Sequence, residues 1–360
     1  MTKIFLRNLL AASAITFSMA AVAAPAALPS PSMAALDIKP LDKPLHMKFC
    51  IFDLVGTQGD VFSYAKDLVL QARKWNLFVE LKAYTDERVA AEDFKAGQCD
   101  GVAISTLRSK QFNFFMGSLD SVGALPSYKH MRAFIQMFGT NEKLNELSIS
   151  GPYQTVAIVP LGAAYVMVND RKIDSIEKAA GKKVAVLEWD KSQARMVQQL
   201  GAQPVASDIT NFAGKFNNGQ VDIIAAPAVA FKPLELYRGL GTKGAIFRLP
   251  MIQITGSVMI RRDKFKDVPD FDNIVMKLRQ YGASQVETVF GIIDKSEKEI
   301  DARYWLDLSP AETEKYTKMM REARLQLTAE GVYDKRMMQL LKRIRCKSDP
   351  GNYECALKDE

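Results

Sequence analysis

Side chains able to hold or transform a small molecule gather where apolar, strand-like runs give way to helical patterns. Gly56-Thr57-Gln58-Gly59-Asp60 follows one such run, Ser105, Thr106 and Arg108 a second, Glu188-Trp189-Asp190-Lys191-Ser192 a third, and Ala226-Pro227 closes a fourth. Hydroxyls, amides and the free N–H groups of a helix N-terminus bind polar ligands, an arginine grips an anion, and Glu188 and Asp190 equally suit an amine. Trp189, directly after an apolar strand, either lines a cleft or plugs a core. Asp60 and Asp190 have a second use as helix caps, Ser105 and Thr106 as partners of local backbone, and Arg108 as a surface charge.

The same residues do not assemble a catalytic set. His46 and His130 are the two histidines and neither lies in a metal-ligand spacing. The chain has no Gly-x-Ser-x-Gly elbow, phosphate loop or His-Glu-x-x-His pair. Gly239-Leu240-Gly241-Thr242-Lys243-Gly244 matches Gly-x-Gly-x-x-Gly, but a helical stretch precedes it and a strand-like run follows, the reverse of a dinucleotide-binding turn. Ligand binding without catalysis, cofactor or metal is the expectation.

The elements that position these residues come in two copies. Phe94-Lys95-Ala96-Gly97-Gln98-Cys99-Asp100-Gly101-Val102-Ala103 returns as Phe216-Asn217-Asn218-Gly219-Gln220-Val221-Asp222-Ile223-Ile224-Ala225, with Phe, Gly, Gln, Asp and Ala in register. Strand, helix, strand, helix precede each copy: 48–54, 61–75, 77–84 and 87–95 before the first, 183–189, 191–200, 203–207 and 208–216 before the second. Each copy is a βαβαβ unit, which forms a parallel sheet and collects ligands at the C-terminal ends of its strands. Two facing units make a cleft, so the fold class is α/β and two-lobed with a helical C-terminus.

Residues 1–23 read as a secretory signal, with Lys3 and Arg7 before an apolar stretch and Ala21-Val22-Ala23 at its end. Residues 24–44 carry Pro25, Pro29, Pro31, Pro40 and Pro44 and read as a flexible leader. Losing Lys3 and Arg7 lowers the net charge from +7 to +5, a mild excess that does not suggest nucleic acid. A soluble, exported, monomeric protein of the periplasm is expected. Export allows disulfides. Cys346 and Cys355 bracket a turn-forming Asp349-Pro350-Gly351-Asn352 and are expected to bond, whereas Cys50 and Cys99 are either a second bond or two buried thiols. Basic residues on the last helix, among them Lys335, Arg336, Lys342, Arg343 and Arg345, read as a solvated face.

The chain crosses between lobes twice, through the extended runs 153–168 and 251–260, which places Tyr153 and Gln154 at the crossing. Lobe one is assigned 45–152 with 256–345, lobe two 153–255, and 346–360 a disulfide-looped tail. Segments 152–158 and 250–258 are expected to be adjacent hinge strands joining two separate sheets.

Asp174-Ser175-Ile176-Glu177-Lys178-Ala179-Ala180-Gly181-Lys182-Lys183-Val184, Leu200-Gly201-Ala202-Gln203-Pro204-Val205 and Phe216-Asn217-Asn218-Gly219-Gln220-Val221-Asp222 resemble the solute receptors of TRAP (tripartite ATP-independent periplasmic) transporters. That resemblance implies a periplasmic receptor delivering a small polar metabolite to a membrane permease. The alternative is an envelope or efflux-complex interaction protein without a solute of its own. Two positions depart from the family pattern. Its carboxylate-gripping arginine falls at Ala185 and a ligand asparagine at Ala226, and small apolar residues do not replace a bidentate clamp.

Intact mass with and without alkylation is expected to show Cys346 and Cys355 protected until a reductant is added. Labelling of both in unfolded, unreduced protein is the contrary result.

Overall fold

The computed structural model describes residues 32, 33 and 36–360, so the signal reading of 1–23 lies outside the described residues. Ten strands form: β1 Leu45–Phe52, β2 Leu77–Tyr84, β3 Gly101–Ser105, β4 Ile149–Ser150, β5 Tyr153–Val168, β6 Lys183–Leu187, β7 Gln203–Ser207, β8 Ile223–Pro227, β9 Ala245–Arg261 and β10 Trp305–Leu306. Their order is β2-β1-β3-β9-β5-β8-β6-β7, with β10 beside β9 and β4 beside β5. The β1–β3 and β6–β8 groups are each internally parallel, as βαβαβ units require.

The repeated phrase is the same piece of structure twice. Gly97 and Gly219 end their helices at φ +76° and +68°, left-handed positions that favour glycine. Asp100 then accepts a hydrogen bond from Lys48 N at 2.8 Å, and Asp222 from Lys183 N at 2.9 Å, each tying the phrase to the neighbouring strand, within β1 in the first copy and at the start of β6 in the second. Phe94 and Phe216 fill the core beneath.

β5 and β9 run antiparallel along almost their whole lengths, from Tyr153 opposite Arg261 to Val168 opposite Ala245. The segments expected as hinge strands therefore are neighbours. The expectation of two separate sheets is corrected, because these strands are long enough to serve both halves. β3 pairs with residues 256–260 of β9, and β8 with residues 164–168 of β5. Between those footholds the pairing slips around Pro160, Leu161 and Gly162. Pro160 has no N–H to donate, and Gly162 adopts φ +102°, closed to most side chains.

Helix boundaries depart from the pattern at one informative place. Residues 208–211 are a turn: the Asp208 carboxylate accepts Thr210 N, and Asn211 Oδ1 accepts Asp208 N, so the helix begins only at Phe212. The leader also differs from its expected flexibility over its described part. Met33 is buried, its N–H donates to Gln71 Oε1 at 2.7 Å, and Leu36 and Ile38 pack with Trp75.

Four long helices, Phe271–Ser284, Val286–Lys298, Pro310–Ala329 and Lys335–Ser348, follow β9 and touch both halves. Lys315 pairs with Glu177 and Gln199 meets Gln326 in the second half, while Leu341 and Ile344 pack with Phe134 and Phe138 in the first. On the last helix the solvated reading holds for Lys335, Arg336 and Arg343 and fails for Lys342 and Arg345, which are buried. Arg345 and Arg324, also buried, share the carboxylates of Glu354 and Glu360 and donate to the Ala124 and Val122 carbonyls. Both cysteine pairs, Cys346–Cys355 and Cys50–Cys99, are bonded, with Cα separations of 5.6 and 5.9 Å.

Arg324→Met leaves buried acids short of a partner and is expected to destabilise by about 3–5 kcal/mol in chemical denaturation. Gly59→Ala sets a Cβ 1.8 Å from the Asp53 carboxylate, which accepts Val55 N and Phe62 N, and an expected loss of about 1–3 kcal/mol follows.

Candidate functional site

Two strand ends from opposite halves meet. After β3, Ser105 caps the short helix Thr106–Ser109 by accepting Arg108 N at 3.1 Å, which fixes where Arg108 leaves the backbone. Glu87, almost wholly buried, accepts Ser105 N at 3.2 Å and lies 3.5 Å from Arg108 Nε. Burial pushes the Glu87 carboxyl up, and the Ser105 and Arg108 contacts oppose that. After β6, Asp190 caps the helix Lys191–Gln199 by accepting Ser192 N at 3.0 Å. Trp189 is thereby held against the other half, and the Arg108 guanidinium stacks on its ring at 4.3 Å. Trp189 Nε1 is buried without an acceptor among the described residues.

A cavity of about 920 Å³ runs along the sheet past these strand ends and continues under the helix Asp60–Ala72. Between the halves its walls include Ser105, Leu107, Leu161, Leu187, Pro227 and Ile254. The part between the halves is only a share of that volume, since the same space also reaches Met33, Trp75 and Tyr281. Ala185, where the resemblance places an arginine, also lines it, and Ala226 is buried in the second-half core.

A buried polar cluster sits beside this junction. Asp120 accepts Thr255 N at 2.9 Å and Thr255 Oγ1 at 2.6 Å; Thr255 Oγ1 also meets Thr106 Oγ1, and Ser257 joins Thr106 and Ser109. Burial pushes the Asp120 carboxyl up to about 7, against the Thr255 bonds and nearby Lys110. Burial likewise lowers Lys110, which faces both Asp190 and Asp120. Ser121 Oγ and Gln253 Nε2 are buried without partners among the described residues.

Of the residues singled out in the sequence, Ser105, Arg108, Trp189, Asp190 and Pro227 come together here. Thr106 is adjacent but fully buried in the hydroxyl cluster. Glu188 is exposed. Thr57 and Gln58 are exposed on the turn Gly56–Gln58, and no described hydrogen bond links them to the second half. Tyr153 and Gln154 do not face the junction. They lie at the far end of β5, where Tyr153 packs on Phe94 and Phe112, and both ends of the Gln154 amide are taken by Asn145 and Arg262. The register slip at Pro160–Gly162 begins eight residues after Pro152 of the sequence break. Asp120, Thr255 and Lys110 were missed. The available signal was a lone carboxyl inside the apolar run 112–125.

Residues 72–360 match the family model described as solute-binding protein AdeT 1/2. The chain belongs to that family. The probable solute-binding protein AdeT1 of Acinetobacter baumannii is 48% identical over 310 residues, 86% of this chain and 100% of that protein. A TRAP periplasmic solute-binding protein from Ralstonia eutropha, solved with bound (S)-2-acetolactate, aligns at TM-score 0.68 and 16% identity over 84% of this chain and 99% of that one. One from Shewanella oneidensis with bound succinate aligns at 0.66 and 15% over the same shares. At such identities the likeness of this AdeT 1/2 member to the TRAP structures is one of fold, and it is the two-lobed fold expected.

A carboxyl whose folded pKa is raised favours the folded state least when ionised. Between about pH 4 and pH 7 the protein is therefore expected to lose stability relative to its Asp120→Asn variant, and below pH 4 the gap should level off. Urea midpoints of both proteins across that range measure it; a gap independent of pH is the contrary result.

Proposed function

We propose that this chain is a periplasmic solute receptor that encloses one small molecule between its halves and presents the closed form to the membrane permease of a TRAP-like transporter. The lobes are 45–152 with 256–345, and 153–255, and the tail is 346–360. Bending at Pro160–Gly162 opens and closes them. The protein acts as a monomer, without catalysis or cofactor. Among the described residues no helix is long and apolar enough to cross a membrane.

The observation that carries this reading is the stacking of Arg108 on Trp189, because their elements belong to opposite halves and the cavity reaches their neighbours Leu107 and Leu187. A solute that touches both sides has differential affinity for the closed state, and that difference drives closure. Arg108 and Glu87 give the first half a fixed, neutralised pair, while Trp189 gives the second a flat face.

Native mass spectrometry of gently purified protein is expected to show a small-molecule adduct that is lost on denaturation. Repeated absence of an adduct, with stable capture of an envelope partner, supports the interaction-protein alternative instead. Trp189→Ala should weaken binding of that molecule by about 1–3 kcal/mol with little change in melting temperature. A melting loss with unaltered affinity moves Trp189 to the core.

A further inference from the structure

We infer that the cleft takes an uncharged molecule with an apolar body and one hydrogen-bond acceptor, and that it is not a carboxylate site. This rests on the receptor reading and concerns the chemistry of its solute. Polar side chains do line the cavity between the halves, but the protein uses them itself. Glu87 is engaged by Ser105 N and Arg108, and the Ser105 hydroxyl by Arg108 N. Gln193 Oε1 accepts Leu187 N at 3.0 Å, and Ser257 is held by Thr106 and Ser109. Most of what remains for a ligand is carbon surface, from Leu107, Leu161, Leu187, Pro227, Ile252 and Ile254.

Charge points the same way. Among the described residues lining the cavity the only cation is Lys39, at the end under the helix Asp60–Ala72. Arg108, at the edge, is neutralised by Glu87 and stacked on Trp189. An ionised carboxylate entering this space loses its water and finds no free cation, an unfavourable exchange. An uncharged apolar body loses nothing comparable and gains by burial. Behind this edge, two residues beyond the lining residue Leu187, Trp189 Nε1–H is buried without an acceptor among the described residues, and it is a donor and never an acceptor. It selects a carbonyl or ether oxygen on the solute.

The probe is Prodan, an uncharged naphthalene bearing one ketone, whose emission shifts blue on leaving water. Titration into the full mature protein is expected to show saturable one-to-one binding, while calorimetry with succinate and D-galacturonate shows no heat of binding. Ile252→Lys and the milder Leu161→Gln should each weaken Prodan at least about tenfold, and Trp189→Phe, which keeps the ring and removes the N–H, about threefold to tenfold. Leu68→Phe, at the far end of the cavity, should leave it unchanged, and melting curves confirm that each variant is folded. Carboxylate binding without Prodan binding overturns this inference and leaves the receptor reading standing. Prodan binding insensitive to both Ile252→Lys and Leu161→Gln overturns the assignment to the cleft. Failure of Prodan and both acids, together with no native adduct, overturns both readings.

Discussion

The antiparallel pairing of β5 with β9 is the constraint on which the rest of the structure depends. Sixteen residues of one strand and seventeen of the other serve as the innermost members of both halves, so neither half has a complete sheet without them. Backbone hydrogen bonds that one strand end makes to β3 and the other to β8 fix the distance between the strand ends that carry Arg108 and Trp189. The register slips at four places along this pair, one of them around Leu161. A proline without a donor and a glycine at positive φ weaken the ladder there, and the helix Val286–Lys298 packs alongside through Ile293.

Around that scaffold the chain spends its polar groups on itself. Ser105, Asp190 and Asp120 all do the work expected of side chains at strand-to-helix junctions, capping helices or pinning a hinge strand, and each leaves little capacity for a solute. Arg108 is the clearest case: neutralised by Glu87 and spread over an indole, it joins the halves without presenting an open charge. Ala185 and Ala226, small and apolar, offer a carboxylate no partner.

Much of the architecture was legible because it rests on local rules. The Gly-Gln-x-Asp phrase predicts a helix end, a left-handed glycine and a strand start, and all three follow from backbone geometry within a few residues. Trp189 and Arg108 were legible as strand-end residues, and their mutual stacking was not, since nothing in a sequence states which rotamers two distant turns share. Gly151-Pro152 is a strong local break, yet it only opens a strand, while the register slip at Pro160–Gly162 lies inside the apolar run that follows and leaves no local mark beyond the proline and glycine themselves. Arg345 and Lys342 read as solvated because helical periodicity on a basic helix does not reveal counter-charges that arrive later in the chain, at Glu354 and Asp359.

The pairing of β3 with β9 also sets an order in time. Gly101 finds its neighbour only at Ile260, so the first βαβαβ unit keeps an open, apolar strand edge while the next hundred and fifty or so residues are made. The second unit is contiguous with β5 before it and β9 after it, and it can close as soon as it is complete. The half that begins first therefore finishes last. Until β9 arrives, the part of the chain most exposed to wrong partners is its oldest part.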